Sequence, residues 1–268
     1  MQYRRLQRPV MQLAMTGVVA LSLATLSLAT PSLATPSGAS NSYYSGSGFD
    51  ESYPQCSAFA TPSGFAIIGV SHGRPFTNNA CATSEGSSAS AVGRSLYFNT
   101  GYALAYAKSE TTTCKTQAAG IGFHATGHQL SALQTAWAIG CSEADVAFSS
   151  EPGTPVAWWA DVETGNSWST NATLNQATIT GIVAEMNKLT SAGSPSIPVG
   201  IYSTPSMWNQ IVGTGNAIPG IAADWQAGTS GCPTSGFTLT GSGNAPVWLI
   251  QSSTTTAGGV TFDVDQPC

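Results

Sequence analysis

The sequence predicts an α/β protein with a TIM-like barrel, a (β/α)5β3 variant closed by an antiparallel hairpin. Short apolar segments recur along the 268-residue chain, and several are apolar throughout, as strands of a buried parallel sheet are. Helical periodicity fills two of the longer connections. Only residues 252–259 separate the last two segments, which is too short for a parallel crossover. The final two strands are therefore predicted to be antiparallel.

Residues 1–39 are predicted to be a secretory signal with its cleavage region, 40–47 a flexible lead-in and 48–268 the barrel. Three arginines precede an apolar run that ends in small residues, which is the order expected of an exported chain. The alternative, a transmembrane anchor, is disfavoured because polar residues dilute the run and prolines follow it. We therefore expect a secreted, extracellular protein.

The composition disfavours several classes of partner. Three of the eight basic residues and none of the thirteen acidic ones lie before residue 40, so the mature domain is strongly acidic. Nucleic acid is a poor partner for such a surface. No second long apolar stretch follows, so no membrane association is expected after signal removal, and we expect a monomer.

Six cysteines in an exported chain favour three disulfides. Sequence neighbours are the expected partners, and these are Cys56–Cys81, Cys114–Cys141 and Cys232–Cys268. No C-x-x-C pattern occurs, so we predict neither a metal site nor a cofactor.

The predicted strands follow one another along the whole domain. In chain order they are 48–50, 65–70, 95–99, 155–163, 198–203, 221–226, 246–251 and 260–265, with helices expected at 129–139 and 172–189. The second of these helices carries apolar residues close to a 3.6-residue period. The turn of the closing hairpin is expected around Gly258 and Gly259.

The fourth predicted strand ends in a pair of carboxylates. Because side chains alternate along a strand, Trp159, Asp161 and Glu163 share one face, and the Cα atoms of the two acids lie about 6.6 Å apart. Barrel active sites lie at the carboxyl ends of strands. Paired carboxylates suit glycoside hydrolysis, which needs one protonated and one ionised group. The alternative interpretation is a pair of solvated loop acids.

Three further acids fall at predicted strand ends on the same rim. Asp50 ends the first strand, and Asp263 and Asp265 share one face of the last. Alternatively, Asp50 caps a turn and the two terminal aspartates are surface charges. The coincidence of five acids on one rim favours a functional site.

At this point the chain resembles family-25 glycoside hydrolases, the N-acetylmuramidases known as Chalaropsis-type lysozymes. Four motifs occur in the family's order. Gly48-Phe49-Asp50-Glu51-Ser52-Tyr53-Pro54-Gln55 is similar to the family's G-x-D-x-S-x-x-Q, and Trp159-Ala160-Asp161-Val162-Glu163 is similar to its D-x-E. Gly200-Ile201-Tyr202-Ser203 is similar to its G-x-Y-[ST], and Phe262-Asp263-Val264-Asp265 is similar to its D-x-D-x-N. The resemblance covers nearly all of the predicted mature domain. It implies a barrel of five β/α units and three closing strands.

The resemblance also implies roles for individual residues. Glu163 corresponds to the general acid, and Asp161 to the group that orients the reacting N-acetyl group or stabilises the cationic state. Asp50 and Asp265 correspond to supporting carboxylates, and Asp263 is the alternative residue for the role of Asp265. The implied reaction is cleavage of the bond between N-acetylmuramic acid and N-acetylglucosamine in peptidoglycan. A non-catalytic glycan-binding barrel and a glycosidase for another amino sugar polymer are the alternatives.

Aromatic and amide side chains near the same strand ends are candidates for binding the glycan. Tyr202, Trp159 and Trp225 offer ring faces for stacking on sugars, and Gln226 and Gln251 offer hydrogen bonds to hydroxyl groups. The alternatives are packing in the barrel for the rings and satisfaction of interior polar groups for the amides.

Overall fold

The computed structural model describes residues 42–58, 63–88, 93–191 and 196–268. The predicted signal segment, 1–39, lies outside the described residues. Within this part of the chain, no helix is both long enough and apolar enough to cross a membrane.

Eight strands form a closed barrel in sequence order. They are β1 (Gly48–Glu51), β2 (Phe65–Gly69), β3 (Gly93–Asn99), β4 (Trp158–Asp161), β5 (Val199–Ser203), β6 (Asp224–Ala227), β7 (Val247–Ala257) and β8 (Val260–Pro267). Strands β1 to β7 pair in parallel, while β8 is antiparallel to both β7 and β1. The predicted α/β barrel with an antiparallel closing hairpin is confirmed.

Helical segments follow the first five strands, and among the described residues β1 is followed by a 3-10 turn alone. The helices are α1 (Ala82–Ser88), α2 (Thr112–Ala119), α3 (Gly127–Ser149), α4 (Ala172–Thr190) and α5 (Pro205–Val212), with 3-10 turns at Tyr53–Gln55 and Leu104–Ser109. Between β6 and β7 the described chain contains no helix, so the arrangement is five strand–helix units and three closing strands. Helix α3 runs ten residues beyond its predicted end at 139, because Cys141, Ala144 and Ala147 continue its buried face.

Helices α3 and α4 pack against each other at two glycines. A Cβ atom on Gly140 would overlap the carbonyl of Thr178, and one on Gly181 would overlap the carbonyl of Trp137. The two backbones therefore approach more closely than larger residues would allow. This contact fixes the outer layer behind β4, the strand that ends at Asp161.

The interior of the barrel is filled with large side chains. Trp159, Trp225, Phe65 and Leu249 pack together there and are all at most 1% exposed. Tyr44 joins them, donating to or accepting from Ser95 and accepting a hydrogen bond from the indole of Trp159 at 2.9 Å. Tyr44 was predicted to lie in a flexible lead-in on the basis of its polar neighbours, and this was wrong for Tyr44 itself because its ring belongs to the core.

The closing hairpin extends beyond the barrel. Gly258 and Gly259 form its turn with φ of 59° and 81°, at the predicted position. Both strands are longer than predicted, and residues 253–259 are all exposed. Three consecutive threonines, Thr254 to Thr256, pair with β8 in this arm without a core to cover, which is why hydrophobicity alone placed the strand end too early.

All three predicted disulfides are present: Cys56–Cys81, Cys114–Cys141 and Cys232–Cys268. The second joins α2 to α3, so it holds the long connection after β3 against the barrel. The third ties the end of β8 to the loop that follows β6.

Candidate active site

A cleft of about 230 Å³ lies at the carboxyl ends of the parallel strands. Its lining combines four carboxyl groups with aromatic, amide and hydroxyl side chains. The lining residues are Asp50, Ser52, Tyr53, Gly73, Tyr97, Asn99, Asp161, Glu163, Tyr202, Trp225, Gln251 and Asp263. The cleft therefore draws on β1, β3, β4, β5, β6, β7 and β8, and its four charged groups are all acidic.

Asp161 is the last residue of β4 and is only 3% exposed. Asn99, its neighbour on β3, donates a short hydrogen bond from Nδ2 to Asp161 Oδ2. Asn99 is itself held by Ser71, whose hydroxyl donates to Asn99 Oδ1 at 2.8 Å. Burial, together with the nearby charge of Glu163, raises the pKa of Asp161 well above its ordinary value. The carboxyl group is thus fixed in position and costly to ionise.

Glu163 lies just beyond the end of β4, in the turn that leads to α4. The predicted strand ran to residue 163, but the chain leaves the sheet after Asp161 and Asn166 N donates back to Glu163 O at 3.1 Å. The Glu163 side chain is half-buried. Burial raises its pKa, the charge of Asp263 raises it further, and the Tyr202 hydroxyl acts in the opposite direction.

Asp50 approaches the same cleft from β1. Its Oδ2 atom accepts a hydrogen bond from Gln251 Nε2 at 2.9 Å, and the Tyr202 hydroxyl donates to Gln251 Oε1 at 2.9 Å. Asp263 is its direct partner on β8. Burial and the charge of Asp263 raise the pKa of Asp50 to about 7. A chain of hydrogen bonds therefore links the acid on β1 to the tyrosine on β5.

The two aspartates of β8 occupy different depths. Asp263 is partly exposed and lines the cleft, whereas Asp265 is fully buried beneath it and pairs with Gly48 at the start of β1. Asp265 Oδ1 accepts a hydrogen bond from Trp225 Nε1 at 2.8 Å. Burial and the charge of Asp50 raise the pKa of Asp265 well above its ordinary value. Asp265 therefore lies beneath Asp50 in the barrel interior, where it influences the charge of Asp50, and it has no surface that faces a ligand.

Some of the candidate binding residues line the cleft and others do not. Tyr202, Trp225 and Gln251 line the cleft. Trp159 is 0% exposed and lies below the mouth, so its ring has no face open to a sugar. Gln226 follows Trp225 on β6 and by alternation points away from the interior, because only every second residue of a strand faces inward.

Five lining residues were absent from the sequence-based set, namely Ser52, Tyr53, Gly73, Tyr97 and Asn99. Tyr97 and Asn99 alternate on β3, opposite Trp159 and Asp161. The same period-two argument that selected the β4 acids identifies both residues once the two strands are aligned. Tyr53, which stacks on His72 with 3.9 Å between ring centroids, comes from a connection that has no such period.

Among the described residues, the potential metal ligands that cluster closely are Cys56, Cys81 and Glu85. Both cysteines are in a disulfide, so they do not offer thiolates to a metal ion.

No family model matches the sequence, and no curated protein matches it. Solved structures do. A family GH25 lysozyme from Aspergillus fumigatus matches with 16% identity and a TM-score of 0.54, covering 83% of this chain and 93% of that one. A muramidase from Trichobolus zukalii matches with 16% identity and a TM-score of 0.49 over 84% and 94%. The Tat-secreted protein Rv2525c of Mycobacterium tuberculosis matches with 15% identity and a TM-score of 0.44 over 83% and 95%. The chain thus has the barrel fold of the Aspergillus GH25 lysozyme.

Proposed function

We propose that this protein is a secreted glycoside hydrolase that cleaves the bond between N-acetylmuramic acid and N-acetylglucosamine in peptidoglycan. The observation that carries the proposal is the convergence of Asp50, Asp161, Glu163 and Asp263 on one open cleft. The fold shared with a GH25 lysozyme supports it, as do the motifs that the sequence shares with that family. Export would remove residues 1–39 before the enzyme meets its substrate.

Glu163 is proposed as the general acid that protonates the leaving oxygen. A general acid must hold its proton near the working pH, and burial shifts the pKa of Glu163 upward, in the direction that this role needs. Its position at the edge of the cleft, half-buried rather than enclosed, lets it reach a bound glycosidic oxygen. Because its backbone oxygen is held by Trp168 Nε1 at 2.9 Å, the turn that carries the acid is anchored.

Asp161 is proposed to bear the negative charge that stabilises the cationic state or the reacting N-acetyl group. Repulsion between Asp161 and Glu163 disfavours ionisation of both carboxyl groups together. Burial raises the pKa of Asp161, and the Asn99 amide acts against this effect because it donates to Asp161 Oδ2 and so favours the ionised form. In the proposed mechanism Asp161 is the ionised member of the pair and Glu163 the protonated one. The two acids thereby take different roles within one cleft.

The test is release of new reducing ends from purified peptidoglycan by the wild-type protein and by Glu163→Gln. We expect release by the wild type and loss of at least about a hundredfold in the variant, because general acid catalysis contributes roughly 10²–10⁴-fold. Glu151→Gln is the matched control, since Glu151 precedes β4 and thus lies at the opposite end of the barrel. It should retain full activity.

The products decide between the proposal and its alternatives. Reduction of the new ends followed by mass spectrometry should show muramic acid termini. Termini of another amino sugar would instead indicate a different glycosidase. If the wild type binds glycan but releases no ends, the protein is a binding barrel and the hydrolase proposal fails.

A further inference from the structure

A second pocket adjoins the end of β4, on the same rim as the candidate active site. Its volume is about 380 Å³, within the range of small-ligand sites. One wall is the loop between β4 and α4, and the other is the end of α5. The lining residues are Thr164, Asn166, Trp168, Ser169, Thr170, Gln210 and Ile211.

The pocket is joined directly to the proposed catalytic turn. Thr164 follows Glu163 in the chain, so the two sites share one stretch of backbone. Trp168 donates its indole N–H to Glu163 O at 2.9 Å, and Asn166 Nδ2 donates to Asp161 O at 3.3 Å. A ligand that fills the pocket would therefore lie beside Glu163.

The two walls of the pocket are fixed to each other. Asn175 on α4, 0% exposed, accepts a hydrogen bond from Ser169 N at 2.9 Å and donates to Ser169 O at 2.9 Å. Its Nδ2 also donates to Ile211 O at 2.8 Å. One buried amide thus holds the loop and the end of α5 together, so the pocket exists before any ligand arrives and little ordering cost remains.

The chemistry of the lining points to a neutral ligand. Every lining residue is uncharged, in contrast to the four carboxyl groups of the neighbouring cleft. An indole ring, an isoleucine, two amides and several hydroxyls provide an apolar surface together with donors and acceptors. A sugar ring presents the same combination, with C–H faces and hydroxyl edges, whereas an anionic group would find no cationic partner among these residues.

We propose that this pocket is a subsite for an uncharged sugar residue of the glycan strand. It holds the strand next to the position where Glu163 acts, and in this respect it rests on the proposed function. The expected occupant is an N-acetylhexosamine, with its ring against Trp168 and its polar groups near Gln210 and Thr170.

The test is the affinity of a soluble β-1,4-linked N-acetylglucosamine tetramer, measured by calorimetry on the full domain carrying Glu163→Gln so that no cleavage occurs. In that background Gln210→Ala and Thr170→Val should each weaken binding roughly two- to tenfold, the loss expected for one hydrogen bond. Both side chains are exposed, so the fold should not change. Gln129→Ala, an exposed glutamine on α3 that lines a different pocket, is the matched control and should bind normally.

Equal affinity in the Gln210, Thr170 and control variants would overturn the subsite, as would absence of binding at millimolar tetramer. Its failure is distinguishable from failure of the proposed function. If the wild type releases no reducing ends but binding still depends on Gln210, the subsite proposal is supported and the hydrolase proposal is refuted. If cleavage occurs and Gln210→Ala leaves both affinity and kcat/KM on long glycans unchanged, the hydrolase proposal is supported and the subsite proposal is refuted.

Discussion

Removal of the Asn99 amide should change the pH dependence of activity through Asp161. Asn99→Ala deletes the hydrogen bond to Asp161 Oδ2, while Asp161 Oδ1 already has no hydrogen-bond partner among the described residues. A hydrogen bond to a charged group contributes about 1.5–3 kcal/mol, which corresponds to about one to two pKa units. Because the amide stabilises the ionised carboxylate, its loss raises the pKa of Asp161.

The measurement is kcat/KM on peptidoglycan fragments across the acidic to neutral range. Since Asp161 must be ionised, the acid limb of the profile should move to higher pH by about one to two units. At pH values below this limb the variant should be about ten- to a hundredfold less active than the wild type. Asn209→Ala, an exposed asparagine on α5, is the control. An acid limb that stays in place, with activity within twofold of wild type, would refute the assignment of Asn99 as a positioning residue.

Three further predictions concern the cleft, a buried acid and the helix layer. Asp263→Asn removes a like charge that raises the pKa of Glu163, so the basic limb of the activity profile should move to lower pH by roughly one unit or less. Burial raises the folded-state pKa of Glu85 to about 7, so its protonated form is favoured in the native state, and this stabilisation is lost as the pH rises through that value. Thermal unfolding should therefore show a lower Tm at pH 8 than at pH 5, and Glu85→Gln should reduce the difference; an unchanged difference would contradict this. Gly140→Ala places a Cβ against the Thr178 carbonyl and should lower the urea-derived free energy of unfolding by roughly 1–3 kcal/mol, whereas an unaltered value would refute the close approach of α3 and α4.

The architecture of the barrel could be predicted because its signals are local. Apolar strands, helical periodicity and a short final connection each reflect one physical constraint, and they agree with one another. The same holds for the disulfides, which join sequence neighbours. The hairpin arm was underestimated because the threonines of β7 form a ladder outside the core, where hydrophobicity gives no signal.

The sequence predicts which face of a strand a side chain occupies, but not how deep in the barrel that side chain lies. Alternation places Trp159, Asp161, Asp263 and Asp265 on the inner face but does not say how far below the mouth each one lies. Strand register decides this: Asp263 pairs with Asp50 near the mouth, while Asp265 pairs with Gly48. Register between distant strands depends on packing of the whole barrel, which a single sequence does not reveal.

The central claim is that a glycan lies across this mouth with its scissile bond at Glu163. A crystal structure of the Glu163→Gln variant with a bound peptidoglycan fragment tests it most directly. We predict a glycosidic oxygen within about 3.2 Å of the substituted side chain, with Asp161 facing the sugar on the same side. A fragment bound elsewhere on the barrel, or crossing the mouth with no glycosidic oxygen in reach of position 163, would contradict the account.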